Sequence, residues 1–262
     1  MQPAVCLESL GLPVRAALDR AGPLGARAFQ FEARGELAPA RLSGTGRAEL
    51  ASLARSRQLG VASLACGLRR GLATLEDQQR RMDHAREVVR LAADLGSNRV
   101  VVEAGQVPED LDGAEGDRLL GALGDLASQA GRHGVMLALA SGLESGEALA
   151  GLLSRLDSEW VGVSFDPAAQ VVGGFPPLGD LACLAGRLGS VVAADARRAR
   201  AGRAARRLPL GEGEIDWIAM LESLRDCGYT GWLVVDGSAG AAGVEAAADL
   251  ATLTRLMDLA GV

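Results

Sequence analysis

Residues 136–168 read MLALASGLESGEALAGLLSRLDSEWVGVSFDPA. A short apolar run at Met136–Leu139 leads into a stretch, Gly146–Leu156, where Leu and Ala recur three and four residues apart, and a second run follows at Val161–Phe165. Apolar runs of this length suit buried strands, and the 3.6-residue period between them suits a helix covered on one face. The unit is strand, helix, strand, the connection that joins parallel strands.

The alternation continues in both directions. Further strands are expected at Ala4–Leu7, Ala28–Phe31, Val61–Ala65, Arg99–Val102, Ser190–Ala194 and Trp232–Val235. Helical periodicity falls at Val14–Ala21, Arg47–Gln58, Glu76–Leu95, Arg118–Arg132, Leu178–Leu188, Asp216–Cys227 and Val244–Leu259. Eight such pairs in 262 residues match the roughly 250 residues usual for a closed (β/α)₈ TIM barrel. An open doubly wound sheet would normally carry a Gly-rich turn after its first strand, and here that turn reads LESLGLP. No linker or block of like charge interrupts the series, so residues 1–262 are read as one α/β barrel domain.

Composition narrows the chemistry. The net charge is −6, which supplies no footprint for a phosphate backbone and argues against nucleic acid as the main partner. All 27 basic residues are Arg, which excludes Schiff-base chemistry and a lysine phosphate loop. The two histidines, His84 and His133, lie in charged helical stretches and are read as a surface or groove residue and a favourable helix C-terminal residue. Cys6, Cys66, Cys183 and Cys227 sit far apart in apolar surroundings and read as buried reduced thiols. No apolar run reaches the length of a membrane span and no signal peptide opens the sequence, so the expectation is a cytoplasmic protein.

In a TIM barrel the chemistry sits beyond the carboxyl ends of the strands. The polar residues there are Glu8, Glu32, Arg69 with Arg70, Glu103, Ser141 after Ala140, Asp166, Asp195 and Asp236. Six are carboxylates. A solvated loop acid or a helix N-cap explains any one of them, and that reading is preferred for Glu8 and Glu32.

The segments LESLGLPVRAAL, CGLRRGL, LASGLESGEALAGLL, GVSFDPA, RRLPLGEGEIDW and CGYTGWLVVD together resemble the sugar phosphate isomerase/epimerase family, the xylose isomerase-like TIM barrels. The resemblance spans nearly the whole chain, and PLGEGEIDW followed by GYTGWLVV carries most of it. It implies a divalent metal held by Glu, Asp, His and Glu from strands five to eight, the two Glu also moving a proton between adjacent carbons of a sugar-like substrate. Carried over without gaps, these positions fall on Ala140, Asp166, Asp195 and Asp236, and the further strand-seven His on Ala193. One of four is unchanged.

Two readings follow. Asp166, Asp195 and Asp236, with Glu103 reaching across for the ligand lost at Ala140, could form a hard oxygen site for Mg²⁺ or Mn²⁺. Alternatively the site has decayed and the mouth binds a small sugar-like ligand or nothing. With no base at Ala140, two-base proton transfer through Asp236 alone should fail, which favours the second reading. Arg69, Arg70, Glu32 and Arg197 are the candidate substrate-binding residues. Arg197 opens RRARAGRAARR, Arg197–Arg207, which reads either as a mouth loop gripping an anion or as a solvated charged loop.

Overall fold

The computed structural model describes residues 1–237 and 243–262. Eight parallel strands close into a barrel: β1 (Gln2–Cys6), β2 (Ala28–Glu32), β3 (Gly60–Cys66), β4 (Arg99–Val102), β5 (Met136–Ala140), β6 (Val161–Phe165), β7 (Leu188–Ala193) and, after an inserted pair β8 (Asp195–Arg197) and β9 (Arg206–Leu208), β10 (Trp232–Val235), which pairs with β1 and β7. The helices between them are α1 (Val14–Ala21), α2 (Gly44–Ser56), α3 (Gln78–Asp94), α4 (Ala114–Arg132), α5 (Gly146–Leu156), the short α6 (Pro167–Gly173) and α7 (Pro177–Cys183), α8 (Trp217–Asp226) and α9 (Val244–Ala260).

Strand alternation divides the side chains between two environments. Val5, Phe29, Phe31, Leu64, Leu137, Leu139 and Phe165 are fully buried in the main core between sheet and helices. The opposite parity faces the barrel interior, where Ala4, Ala28, Ala62 and Val234 form a small separate cluster. Above it lies a polar layer: Ser63 Oγ donates to Gln30 Oε1 at 2.7 Å, and Ser190 Oγ to Ser164 Oγ at 2.8 Å. The interior parity therefore ends, at the mouth, on Glu32, Glu103, Ala140, Asp166 and Asp236.

The structure departs from the sequence reading around strand seven. Leu188 belongs to β7 and not to the preceding helix, which stops at Cys183, and that cysteine is exposed, not buried as its apolar surroundings suggest. Helix α6, begun by the Asp166 cap and Pro167, is too short for periodicity to announce. The arginine-rich stretch forms part of the antiparallel hairpin of β8 with β9, closed further out by an Arg200–Arg203 bridge. Among the described residues no helix is long and apolar enough to cross a membrane.

Candidate functional site

The residues beyond the strand ends fall into two groups. Around β6 and β10, Asp166 caps α6, its Oδ1 accepting from the Ala169 amide at 2.9 Å, while its own amide donates to Ser141 Oγ at 2.9 Å. Its other oxygen, Oδ2, accepts from Arg207 Nη1 at 2.7 Å. Arg207 Nη2 also reaches Asp236 Oδ2 at 3.3 Å. The hairpin register explains this placement. Arg207 pairs opposite Ala196, whose small buried side chain packs with Ala168 and Val171 of α6, so Arg207 emerges on the face toward the Asp166 cap. Its neighbour Arg206, of opposite parity, is exposed. Burial by itself would push the Arg207 guanidinium toward deprotonation, but the Asp166 charge, its hydrogen bond and Asp236 outweigh that and raise its pKa. A guanidinium therefore stands charged between the two carboxylates.

Asp195 is engaged elsewhere. It is 1% exposed. Oδ1 accepts from the amides of Ala196 at 2.8 Å and Ile215 at 3.2 Å, and Oδ2 from Gly211 at 3.1 Å. It is a fastener for the loop after β9. The glycines of PLGEGE follow from it: Gly211 adopts φ +88°, and a Cβ on Gly213 would lie 1.9 Å from Asp195 Oδ1. The same loop is held from α9, where Asp249 accepts from the Leu210 amide at 2.9 Å. Burial pushes the Asp249 carboxyl up to about 6, with the charges of Glu245, Glu212 and Asp195 adding to it and the Leu210 hydrogen bond opposing.

The second group lies beyond β1 to β4 and adjoins Asp236, since β1 pairs with β10. Glu8 Oε1 accepts from the Glu32 amide at 2.8 Å, and the Cys6 thiol donates to Glu8 Oε2 at 3.2 Å. Burial raises the Glu32 pKa, Arg34 opposes it, and Glu8, Glu103 and Asp236 raise it further. Burial first, then Glu103, pushes the Cys66 thiol up to about 12. Glu103 thus sits with Glu32 and Cys66. A cavity of about 580 Å³ opens here, lined by Glu32, Arg34, Arg69, His84 and Glu103. It adjoins one of about 510 Å³ that shares Arg69 and His84 and continues along α3. His84, read from sequence as a surface or groove residue, is half-buried in this wall. A further cavity of about 360 Å³, more aliphatic, lies between the loops after β4 and β5 against Val107, Leu143 and Phe175.

The candidate residues are therefore not all brought together. Asp166 and Asp236 meet through Arg207, whereas Glu32, Glu103 and Arg69 share the cavity. Arg70 leans out to an exposed pair with Glu76. Arg197 donates to the Glu212 carbonyl at 3.1 Å and helps to hold the hairpin. Ala140, opposite Ser164 in the β5–β6 register, presents only a methyl group. Among the described residues no three His, Cys, Asp or Glu side chains are arranged to hold a metal ion.

A family model described as "Xylose isomerase-like TIM barrel" matches residues 18–255. No curated protein matches this sequence. Among solved structures, a xylose isomerase domain protein from Planctomyces limnophilus is similar at 22% identity and a TM-score of 0.86, over 98% of this chain and 96% of its own. A D-tagatose 3-epimerase-like protein is 19% identical, with a TM-score of 0.83 over 100% and 98% of the two chains. A xylose isomerase-like TIM barrel protein from Mycobacterium smegmatis, in complex with magnesium, is 15% identical, with a TM-score of 0.81 over 99% and 98%. At these identities the likeness is one of fold.

Proposed function

This chain belongs to the xylose isomerase-like TIM barrel family, and we propose that within it the chain binds a small sugar-like or sugar-phosphate-like ligand at the strand-end mouth, with little or no isomerase activity. The observation that carries this reading is the cavity of about 580 Å³ beyond β2, β3 and β4, whose wall mixes Glu32, Glu103, His84 and Arg69. Carboxylates accept from sugar hydroxyls, and an exposed guanidinium suits a carboxylate or phosphate on the same ligand. Raising of the Glu32 pKa by burial lets that carboxyl hold a proton more readily than an ordinary one.

The family's divalent metal does not fit the residues present. Ala140 offers no ligand, both oxygens of Asp195 are occupied by backbone amides, and a guanidinium lies between Asp166 and Asp236. A second base facing Asp236 across the mouth is missing at position 140, so proton transfer between adjacent carbons lacks one of its two partners.

Saturation-transfer NMR against a panel of ketoses, aldoses and their phosphates, in the presence of a chelator, tests the binding, and a turnover assay on the same panel with added Mn²⁺ tests the chemistry. Binding of at least one member that Glu103→Ala weakens, without turnover, supports the reading. Absence of binding across the panel, or turnover by the wild type, contradicts it.

A further inference from the structure

The six arginines of the hairpin region have five destinations at its edge or in solvent and one inside the mouth. Arg197, Arg198 and Arg200 bind the hairpin's surroundings through the Glu212 carbonyl, the Phe175 carbonyl and Glu214, and Arg203 and Arg206 are exposed. Arg207 alone is carried to a pair of strand-end carboxylates. Its side chain is 26% exposed and Asp166 is 15% exposed, so this pair is shielded from solvent on most sides. Two negative charges so placed repel one another unless a cation stands between them. Here the cation is covalently attached, and it arrives with fixed geometry because Asp195 and the glycines at 211 and 213 fix the loop that follows it.

We propose that Arg207 is the resident cation of this barrel mouth, delivered between Asp166 and Asp236 by the β8–β9 hairpin that Asp195 fastens, and that the guanidinium and a divalent ion exclude one another there. The replaced residues then form one device. Asp195 no longer points a ligand into the mouth; it anchors the strand pair that supplies the charge. The single guanidinium offsets one of the two carboxylate charges and uses a directional N–H for each, whereas a free divalent ion would offset both and demand further oxygen ligands. The inference is independent of which molecule the neighbouring cavity takes.

The test compares Mn²⁺ binding, by calorimetry on chelator-stripped protein, between Ala140→Glu and the double variant Ala140→Glu/Arg207→Ala. The change at position 140 adds a third carboxylate in the interior parity of β5, so the double variant offers three carboxylates and no competing cation. The expected result is that removing Arg207 tightens Mn²⁺ binding by about tenfold or more, and that adding Asp166→Asn abolishes the gain. Mn²⁺ should also raise the melting temperature of Arg207→Ala and leave that of the wild type unchanged. Affinities that agree within about threefold with and without Arg207 would overturn the proposal, as would a folded double variant that binds no Mn²⁺. So would variants lacking Arg207 that remain unfolded with Mn²⁺ present as well as without it, because an ion on the same carboxylates should replace the guanidinium.

Discussion

Arg207 Nη1 donates to Asp166 Oδ2 at 2.7 Å, joining the second strand of a surface hairpin to the acid that caps the helix after β6. The contact ties three layers together: hairpin register, helix cap and barrel mouth. Because Arg207 and Asp166 are mostly shielded, Arg207→Gln should cost about 2–3 kcal/mol by removing the cation that pairs with Asp166 and Asp236. Asp166→Asn keeps an acceptor for the Ala169 amide, so the double variant Asp166→Asn/Arg207→Gln should be less destabilised than the sum of the singles. Urea unfolding of the four proteins measures this coupling; strict additivity would mean that the pair does not interact.

Asp195 accepts three backbone amides, from Ala196, Gly211 and Ile215. Asp195→Ala leaves them without their acceptor and should cost about 3 kcal/mol. Asp195→His, the residue that the family resemblance expects, should be as damaging, since the space beside Gly213 admits no larger group. Hydrogen exchange at the Gly211 and Ile215 amides should accelerate in both variants while the barrel amides of β4 and β5 stay protected. Unchanged exchange at 211 and 215 would refute the fastening role.

The Asp249 carboxyl, raised by burial to about 6, predicts a definite sign of pH dependence. An unfolded Asp titrates near ~3.9, so between about 4 and 6 the folded chain holds more protons than the unfolded one, and this group's contribution to stability falls as pH rises through that window. Above pH ~6 the cost of the buried charge is complete. Asp249→Asn keeps an acceptor for the Leu210 amide without that charge. It should be more stable than wild type at pH 8 by about 1–2 kcal/mol, with the difference shrinking toward zero near pH ~4. A variant less stable at pH 8 would reverse the assignment.

Arg69 and Arg34 are exposed cations of the mouth cavity, and Arg34 is paired with Glu32. Arg69→Ala should weaken binding of a sugar phosphate by about tenfold while changing that of the parent sugar little, since a charged hydrogen bond contributes about 1.5–3 kcal/mol before solvent screening. Equal losses for the two ligands would place the anion elsewhere.

The barrel was legible because strand and helix periods are strong signals when repeated eight times, and because strand-end acids follow directly from strand ends. The stretch 136–168 contains all the cues needed for β5, α5 and β6, and the observed boundaries agree within a residue. What was not legible depended on pairing at a distance. Six arginines in eleven residues look alike in a linear reading; only the opposition of Arg207 to Ala196 separates the inward one from its exposed neighbour. Asp195 stands beyond an apolar run as Asp166 does, yet its three amide partners lie up to twenty residues later. The nearest local clue was the pair of glycines in PLGEGE, which mark a close backbone approach. His84 lies on a helix whose charge pattern suggests solvent, and its place in the cavity wall follows from the packing of α3 over β3.

The central claim is that the carboxylates of this mouth are already served by a guanidinium, so that ligand binding proceeds without a divalent metal. Calorimetric titration of the chelator-stripped wild type with Mn²⁺ tests it most directly. The account predicts no saturable binding below about 1 mM. Binding at micromolar concentration that Asp166→Ala abolishes would contradict it.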